Sequence, residues 1–329
     1  MIIDCHTHTI CPDAIAAVKG RIPEGAIPYQ RDMSEQSRAA DAEQMPQLAQ
    51  RFNDLPTRRA VMAQMRVDHH VVAPAPGQQH YWADAGLLTE LSVMQNEHVA
   101  TLVAAEPGRM TGLGTLPLPH PGRAAAEARR AVREGGLRGF QIDSRADAME
   151  LSDAALDPVY AALVELDAAL VVHPLGFSHG QRLGPFFMVN TVGQPLEEII
   201  AVNHLVFGGV LDRHPDLRVM IAHGGGYFPY YAGRMDHAWR ARPELNALIP
   251  APPSEYLRRM WYDTCVFDAD TLARLVALAG AERVMLGSDY PFDMGDTDPL
   301  ALVEAAIPDP DARAKVTGAT ARAFFGIGA

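Results

Sequence analysis

Ala169-Leu170-Val171-Val172-His173-Pro174 and Arg218-Val219-Met220-Ile221-Ala222-His223-Gly224, separated by the helix-length stretch Pro195–Arg213, decide the fold. Each is a continuous apolar run that closes on a histidine. An uninterrupted run, as opposed to an alternating one, is what a strand covered on both faces of a parallel sheet requires. The same unit repeats outward in both directions. Strands are predicted at Ile2–Cys5, Val67–Ala73, Thr111–Leu116, Gly139–Ile142, Ala169–His173, Arg218–His223, Met260–Cys265 and Arg283–Ser288. Helices are predicted at Ala83–Ala105, Gly122–Gly135, Asp153–Leu166, Pro195–Arg213, Asp268–Ala279 and Asp311–Phe325. Eight strands interleaved with helices specify an α/β (β/α)8 TIM barrel spanning residues 1–329 as one domain. A doubly wound open sheet would normally carry a glycine-rich phosphate loop after its first strand, and none is present.

Residues Cys11–Asn53 break the alternation. They are polar, with Pro, Gly, Arg and Ser scattered between the first strand and its helix. An insertion there lies at the C-terminal mouth of a barrel, so it reads as a lid or specificity loop. The Arg123–Arg138 stretch reads as the solvated face of a helix.

Composition narrows the function. The chain has 329 residues, 48% hydrophobic and 21% charged, and a formal net charge of −12. A nucleic-acid surface needs a basic patch, so nucleic acid is excluded as a partner. No apolar run reaches the length of a membrane span. Cys5, Cys11 and Cys265 show no paired spacing and read as reduced thiols. With no basic-then-apolar leader at the N-terminus, the expected compartment is the cytoplasm.

Of thirteen histidines, four fall at predicted C-terminal strand ends: His6 and His8, His173, and His223. Asp289 joins them at the end of the eighth strand, in Met285-Leu286-Gly287-Ser288-Asp289-Tyr290. In a barrel all these ends share one mouth, where the chemistry is done. His6-Thr7-His8 alone is a weak signal, since one ring could be core and the other solvated. Side chains two apart on a strand share a face, however, and the other strand ends supply further ligands. The remaining histidines default to packing or surface roles, with His179 and His237 kept as pocket candidates. Three imidazoles and one carboxylate suit Zn²⁺, with Mn²⁺, Fe²⁺ or Co²⁺ open. His223 is then left as general acid or base beside an open metal position. Lys19 and Lys315 are the only lysines and neither ends a strand, so a lysine-carbamate bridge is excluded and one metal per subunit is expected.

These residues and their surroundings carry a resemblance. Asp4-Cys5-His6-Thr7-His8, Tyr81-Trp82-Ala83, Gly112-Leu113-Gly114-Thr115-Leu116-Pro117, Val172-His173-Pro174, Ala222-His223-Gly224-Gly225-Gly226, Phe228-Pro229, Gly233-Arg234 and Leu286-Gly287-Ser288-Asp289-Tyr290-Pro291-Phe292 run nearly end to end. Together they resemble the amidohydrolase superfamily, in the branch of 2-amino-3-carboxymuconate-6-semialdehyde decarboxylase and related metal-dependent non-oxidative decarboxylases. The resemblance implies a distorted barrel and a metal held by His6, His8, His173 and Asp289. It implies that His223 handles proton transfer with the metal-bound water, with Asp289 also counted as catalytic, and that a homodimer delivers Arg234 to the partner's site to hold a substrate carboxylate. A surface salt bridge is the alternative for Arg234, and tight packing is the alternative for the Gly224–Gly226 run. Trp82 and Phe292, from the matching segments, are further candidates for the substrate pocket.

The chain departs from the branch twice. The loop arginine that clamps the muconate substrate has no clear counterpart, with Arg51 the nearest candidate. A pocket tryptophan is replaced by Asn190. The expected activity is decarboxylation of a small cyclic or unsaturated carboxylic acid, of the aminocarboxymuconate semialdehyde or hydroxy-aromatic type. Hydrolysis or hydration by the same metal centre is the alternative, and a non-catalytic metal-binding protein is disfavoured by the open position beside His223.

Overall fold

Inward-facing residues recur at every second position along the strands, and they place the site. The structure is a computed structural model that describes residues 1–176 and 180–328; His179 lies outside the described residues. Eight parallel strands follow one another in chain order: β1 (Ile3–Thr9), β2 (His69–Pro74), β3 (Met110–Gly114), β4 (Gly139–Ile142), β5 (Ala169–Val172), β6 (Val219–Ile221), β7 (Trp261–Asp263) and β8 (Val284–Met285). The barrel closes through Cys5 N–H to the Leu286 carbonyl at 2.8 Å, Asp289 N–H to His6 at 2.9 Å and His8 N–H to Tyr290 at 2.7 Å.

Ile3, Val71, Ala73, Leu113, Ala169, Val171, Met220 and Met285 form one buried cluster inside the barrel, plugged by Phe324 and Phe325. A larger cluster fills the layer between strands and outer helices. The helices include α1 (Pro12–Val18), α2 (Pro28–Asp32) and α3 (Glu35–Asn53), which lie in the insertion and outside that cluster, and α4 (Leu55–Gln64), α5 (Ala85–Ala105), α6 (Pro121–Arg133), α7 (Asp157–Glu165), α8 (Gln194–Phe207), α9 (Phe228–Ala241) and α10 (Ala269–Ala279). Several start on a side-chain cap: Asp84 accepts from Gly86 and Leu87, Asp54 from Thr57, and Asp268 from Thr271.

Three departures from the sequence reading have local causes. The Cys11–Asn53 insertion contains helices, the longest capped by Ser34 and tolerating Pro46 in its interior. The stretch 195–213 is two helices, because Gly209 takes a left-handed φ of 68° and ends the continuity. A two-stranded antiparallel ribbon, Arg145–Ala146 with Met149–Glu150, follows β4.

Candidate metal centre

In β1 the inward parity changes partway along. Ile3 and Cys5 face the barrel interior, which by strict alternation would turn His6 and His8 outward. The pairing with β2 slips by one residue between Asp4 and Thr7. This bulge returns His6 and His8 to the inner face, a known use of bulges beside active sites. Asp4 fastens the distorted segment. Its carboxylate accepts from His6 N–H and Ser288 N–H, both at 3.1 Å, and from the Ser288 hydroxyl. In β5 and β7 the alternation runs undisturbed, so His173 and Asp263 also point inward; Asp289 lies beyond the end of β8, at a positive φ of 61°, and reaches the same centre.

The sequence-predicted ligands converge. One potential ligand atom from each of His6, His8, His173 and Asp289 lies within 4.8 Å of the others, and all four residues are buried. Asp289 Oδ1 is 3.0 Å from His8 Nε2 and 3.4 Å from His6 Nε2. The His173 ring centroid lies 4.9 Å from that of His6 and 5.2 Å from that of His8.

Asp263, which sequence reasoning missed, and the Pro174 carbonyl orient this set. His6 Nδ1 donates to Asp263 Oδ2 at 2.7 Å, and His173 Nδ1 donates to the Pro174 carbonyl at 3.0 Å. Both rings therefore offer an Nε2 lone pair to the centre, and both Nε2 atoms are buried without a hydrogen-bond partner. Leaving such acceptors bare is costly, and a cation would satisfy them. Burial pushes His8 down to about 4 and His173 down to about 3, which keeps both neutral as metal ligation requires. Burial alone would raise Asp289, but the surrounding histidines hold its carboxyl well below the usual range. The donor set thus fits one divalent ion. A second grouping, His6 with Asp263 and Cys265, does not fit: His6 Nδ1 is already bonded to Asp263, and burial keeps the Cys265 thiol protonated. Strand β4 presents Gln141, not lysine, and its amide is bonded to the Pro74 carbonyl.

His223 stands beside this set, paired with Glu198, which sequence reasoning also missed. Its Nδ1 lies 2.5 Å from Oε1 of Glu198, which is fully buried on α8, and its Nε2 lies 3.8 Å from Asp289 Oδ2. Burial alone would lower the His223 pKa; the Glu198 and Asp289 carboxylates reverse this and hold it well above normal. His223 and Asp289 have positive φ values of 49° and 61°, backbone strain of the kind that clusters at functional sites. The Gly224–Gly226 run is explained by packing. Gly226 has φ of 57°, and a Cβ there would lie 2.5 Å from both the Pro195 carbonyl and Glu198 Oε2.

A cavity of about 450 Å³ opens at this centre, lined by His173, Asp289, Asn190 and Phe292 and by residues of the insertion. Phe292 packs 5.1 Å from the His8 ring. Asn190 sits in a π-turn, Val189–Gly193, that leads into α8. The other pocket candidates lie elsewhere. Trp82 packs against the Cys11, Ala14 and Leu88 cluster and is not in the cavity lining. Arg51 is exposed, and its backbone carbonyl, not its guanidinium, is used, accepting from the Tyr290 hydroxyl. His237 is exposed on α9. Arg234 is also exposed on α9, at a separate groove of about 560 Å³ lined by Ile199, Phe207, Tyr231, Met235 and Leu248.

Comparison with known proteins agrees with this geometry. The amidohydrolase family model matches residues 3–327. A 2-amino-3-carboxymuconate-6-semialdehyde decarboxylase from Dictyostelium discoideum is 38% identical over 240 residues, covering 73% of this chain and 67% of that one. A 2-keto-4-carboxy-3-hexenedioate hydratase from Sphingobium is 26% identical over 324 residues, covering 91% and 86%. The crystal structure of 5-carboxyvanillate decarboxylase from Sphingomonas paucimobilis superposes with a TM-score of 0.87 at 26% identity, covering 99% of both chains.

Proposed function

The chain belongs to the amidohydrolase family, and on that premise we propose that it is a metal-dependent, non-oxidative decarboxylase of a hydroxy-aromatic or related unsaturated carboxylic acid. The observation that carries the reading is His223, held between Glu198 and Asp289 beside a buried N₃O donor set that opens into a cavity. Relatives and structural neighbours named as decarboxylases support the reaction class.

The divalent ion, held by His6, His8, His173 and Asp289, would supply Lewis-acid stabilisation of negative charge on substrate oxygens. Zn²⁺ and Mn²⁺ both suit these ligands, and zinc is our assignment. Cleavage breaks the bond between the carboxylate carbon and the ring or alkene carbon. CO2 departs, the electron pair stays on carbon, and a proton must replace it. His223 is assigned to deliver that proton from Nε2, which lies 3.8 Å from Asp289 Oδ2, while Glu198 keeps Nδ1–H fixed. Phe292 and Asn190 bound the space for the substrate ring.

We further assign a homodimer. Arg234 does not line its own chain's metal cavity, and the groove it borders carries Tyr231 at 59% and Leu248 at 54% exposure. Aromatic, Met and Arg enrichment is the composition of an interface, and a partner would bring Arg234 to its site. No helix of the described residues is long and apolar enough to cross a membrane; a cytoplasmic location accords with three buried free cysteines.

The hydratase relative makes hydration the second reading. The deciding experiment incubates metal-loaded enzyme with hydroxybenzoates and unsaturated acids, following CO2 release against incorporation of labelled solvent oxygen. CO2 without label supports decarboxylation; label without CO2 overturns it. His6→Ala and Asp289→Ala should lose the metal, whereas His223→Asn should keep it and lose about 10²-fold in turnover.

A further inference from the structure

The residues that line the cavity are of two kinds. His173 and Asp289 of the metal set line it, as do Asn190 and His80. Its outer wall comes from the insertion, through Ile15, Val18, Ile22, Ile27, Met45 and Leu48. Three of these large apolar side chains remain open to water, Ile15 at 44%, Ile22 at 39% and Met45 at 49% exposure. Apolar surface gathered around a cavity mouth marks a place that a ligand covers.

Charge narrows what that ligand is. Among the described residues of the lining, Lys19 is the sole cation, against Asp41, Asp289 and Asp293. A second carboxylate, remote from the one at the metal, would enter a wall of aliphatic side chains and like charge. A methylene chain would meet matching surface.

His80 adds a polar point to this surface. It is 6% exposed and lines the cavity, yet neither ring nitrogen has a hydrogen-bond partner. Burial pushes its pKa down to about 4, so the ring is neutral and offers one donor and one acceptor. That is the complement of a hydroxyl group. Its backbone is held at φ of 51°, in the left-handed region.

We propose that the substrate is a hydroxy-aromatic monocarboxylic acid bearing, away from its carboxylate, an uncharged aliphatic substituent gripped by the insertion, with His80 receiving a ring hydroxyl. This rests on the decarboxylase reading for the reaction, but its test does not. Calorimetry on the metal-loaded enzyme would use ligands that cannot decarboxylate: resorcinol, 5-methylresorcinol, 5-pentylresorcinol, 3-pentylphenol, and a resorcinol whose side chain ends in a carboxylate. Affinity should rise about three- to fourfold for each methylene that stays in contact with the wall. The carboxylate-ended analogue should bind at least about tenfold more weakly than the pentyl one. Met45→Asp, a change at the exposed rim, should flatten the chain-length series. His80→Phe should collapse the preference for 5-pentylresorcinol over 3-pentylphenol, about tenfold in the native protein. A flat series, or a preference for the charged tail, overturns the proposal even if CO2 is released from simple hydroxybenzoates. A steep series with no CO2 release from any acid leaves the proposal standing and refutes the decarboxylase reading.

Discussion

Glu198→Gln isolates the proton-transfer group from the metal. In the native protein a carboxylate oxygen lies 2.5 Å from His223 Nδ1, and Glu198 is wholly buried. Hydrogen bonds to charged groups contribute about 1.5–3 kcal/mol and neutral ones about 1 kcal/mol. The isosteric amide therefore forfeits roughly 1–2 kcal/mol, or about 5–30-fold in the population of correctly held, protonated imidazole. The second effect has a definite sign. His223 sits well above its ordinary pKa because two carboxylates outweigh its burial. Removing one lowers that pKa, so the proton-donating form is lost at a lower pH than in the native enzyme. The variant should show kcat reduced by about 10–10²-fold at pH 8, with partial recovery toward pH 6. Stability adds a check. Burial pushes the Glu198 carboxyl up to about 7, so the folded state binds its proton more tightly than the unfolded chain, this group's contribution to stability falls as pH rises through about 7, and the neutral amide should flatten that slope. The assay is CO2 release from pH 5.5 to 9, with metal content and thermal unfolding measured on the same sample. A pH profile superimposable on the native one, with kcat within about twofold, would refute the assignment; metal loss would show that Glu198 serves the ligand set instead.

Asp263→Asn removes the negative charge and one of the two acceptor oxygens that hold the His6 ring and receive the His223, Gly224 and Cys265 backbone N–H groups; metal affinity should fall about 10–100-fold in a chelator competition. Arg58→Met should destabilise the protein by about 2–4 kcal/mol in urea unfolding. The buried guanidinium donates to the His8 carbonyl at 2.5 Å and the Phe52 carbonyl at 2.8 Å, and each acceptor left bare costs about 1–3 kcal/mol, offset in part by removing a buried charge. Burial pushes Asp143 up to about 6. The folded state then binds its proton more tightly than the unfolded chain, so this group's contribution to stability falls as pH rises from about 4 through 6. Asp143→Asn should flatten that slope in denaturation curves taken across the window.

What could be read in advance follows from how local each signal is. His173 was legible because a strand carries its inward face to its own end, and Asp289 because it follows directly on the last apolar run. His6 and His8 were legible as a pair, since any strand puts them on one face. Which face is settled by the bulge between Asp4 and Thr7, and nothing in Asp4-Cys5-His6-Thr7 announces one. Asp263 lies inside the predicted strand Met260–Cys265 and ends only the observed one, Trp261–Asp263, and a lone carboxylate in Tyr262-Asp263-Thr264 has no distinctive spacing. Glu198 was hidden for a different reason. It lies on a helix whose periodicity marks Ala201, Val202 and Leu205 as core, and a glutamate among them reads as solvated until the fold brings His223, 25 residues along the chain, against it. The insertion concealed its helices because Pro46 and a run of polar residues obscure the 3.6-residue period. The candidate ligands are thus written along strands, one residue at a time. The carboxylates that orient His6 and His223 depend on which elements the barrel sets side by side, and replacing either should change the chemistry while the fold persists.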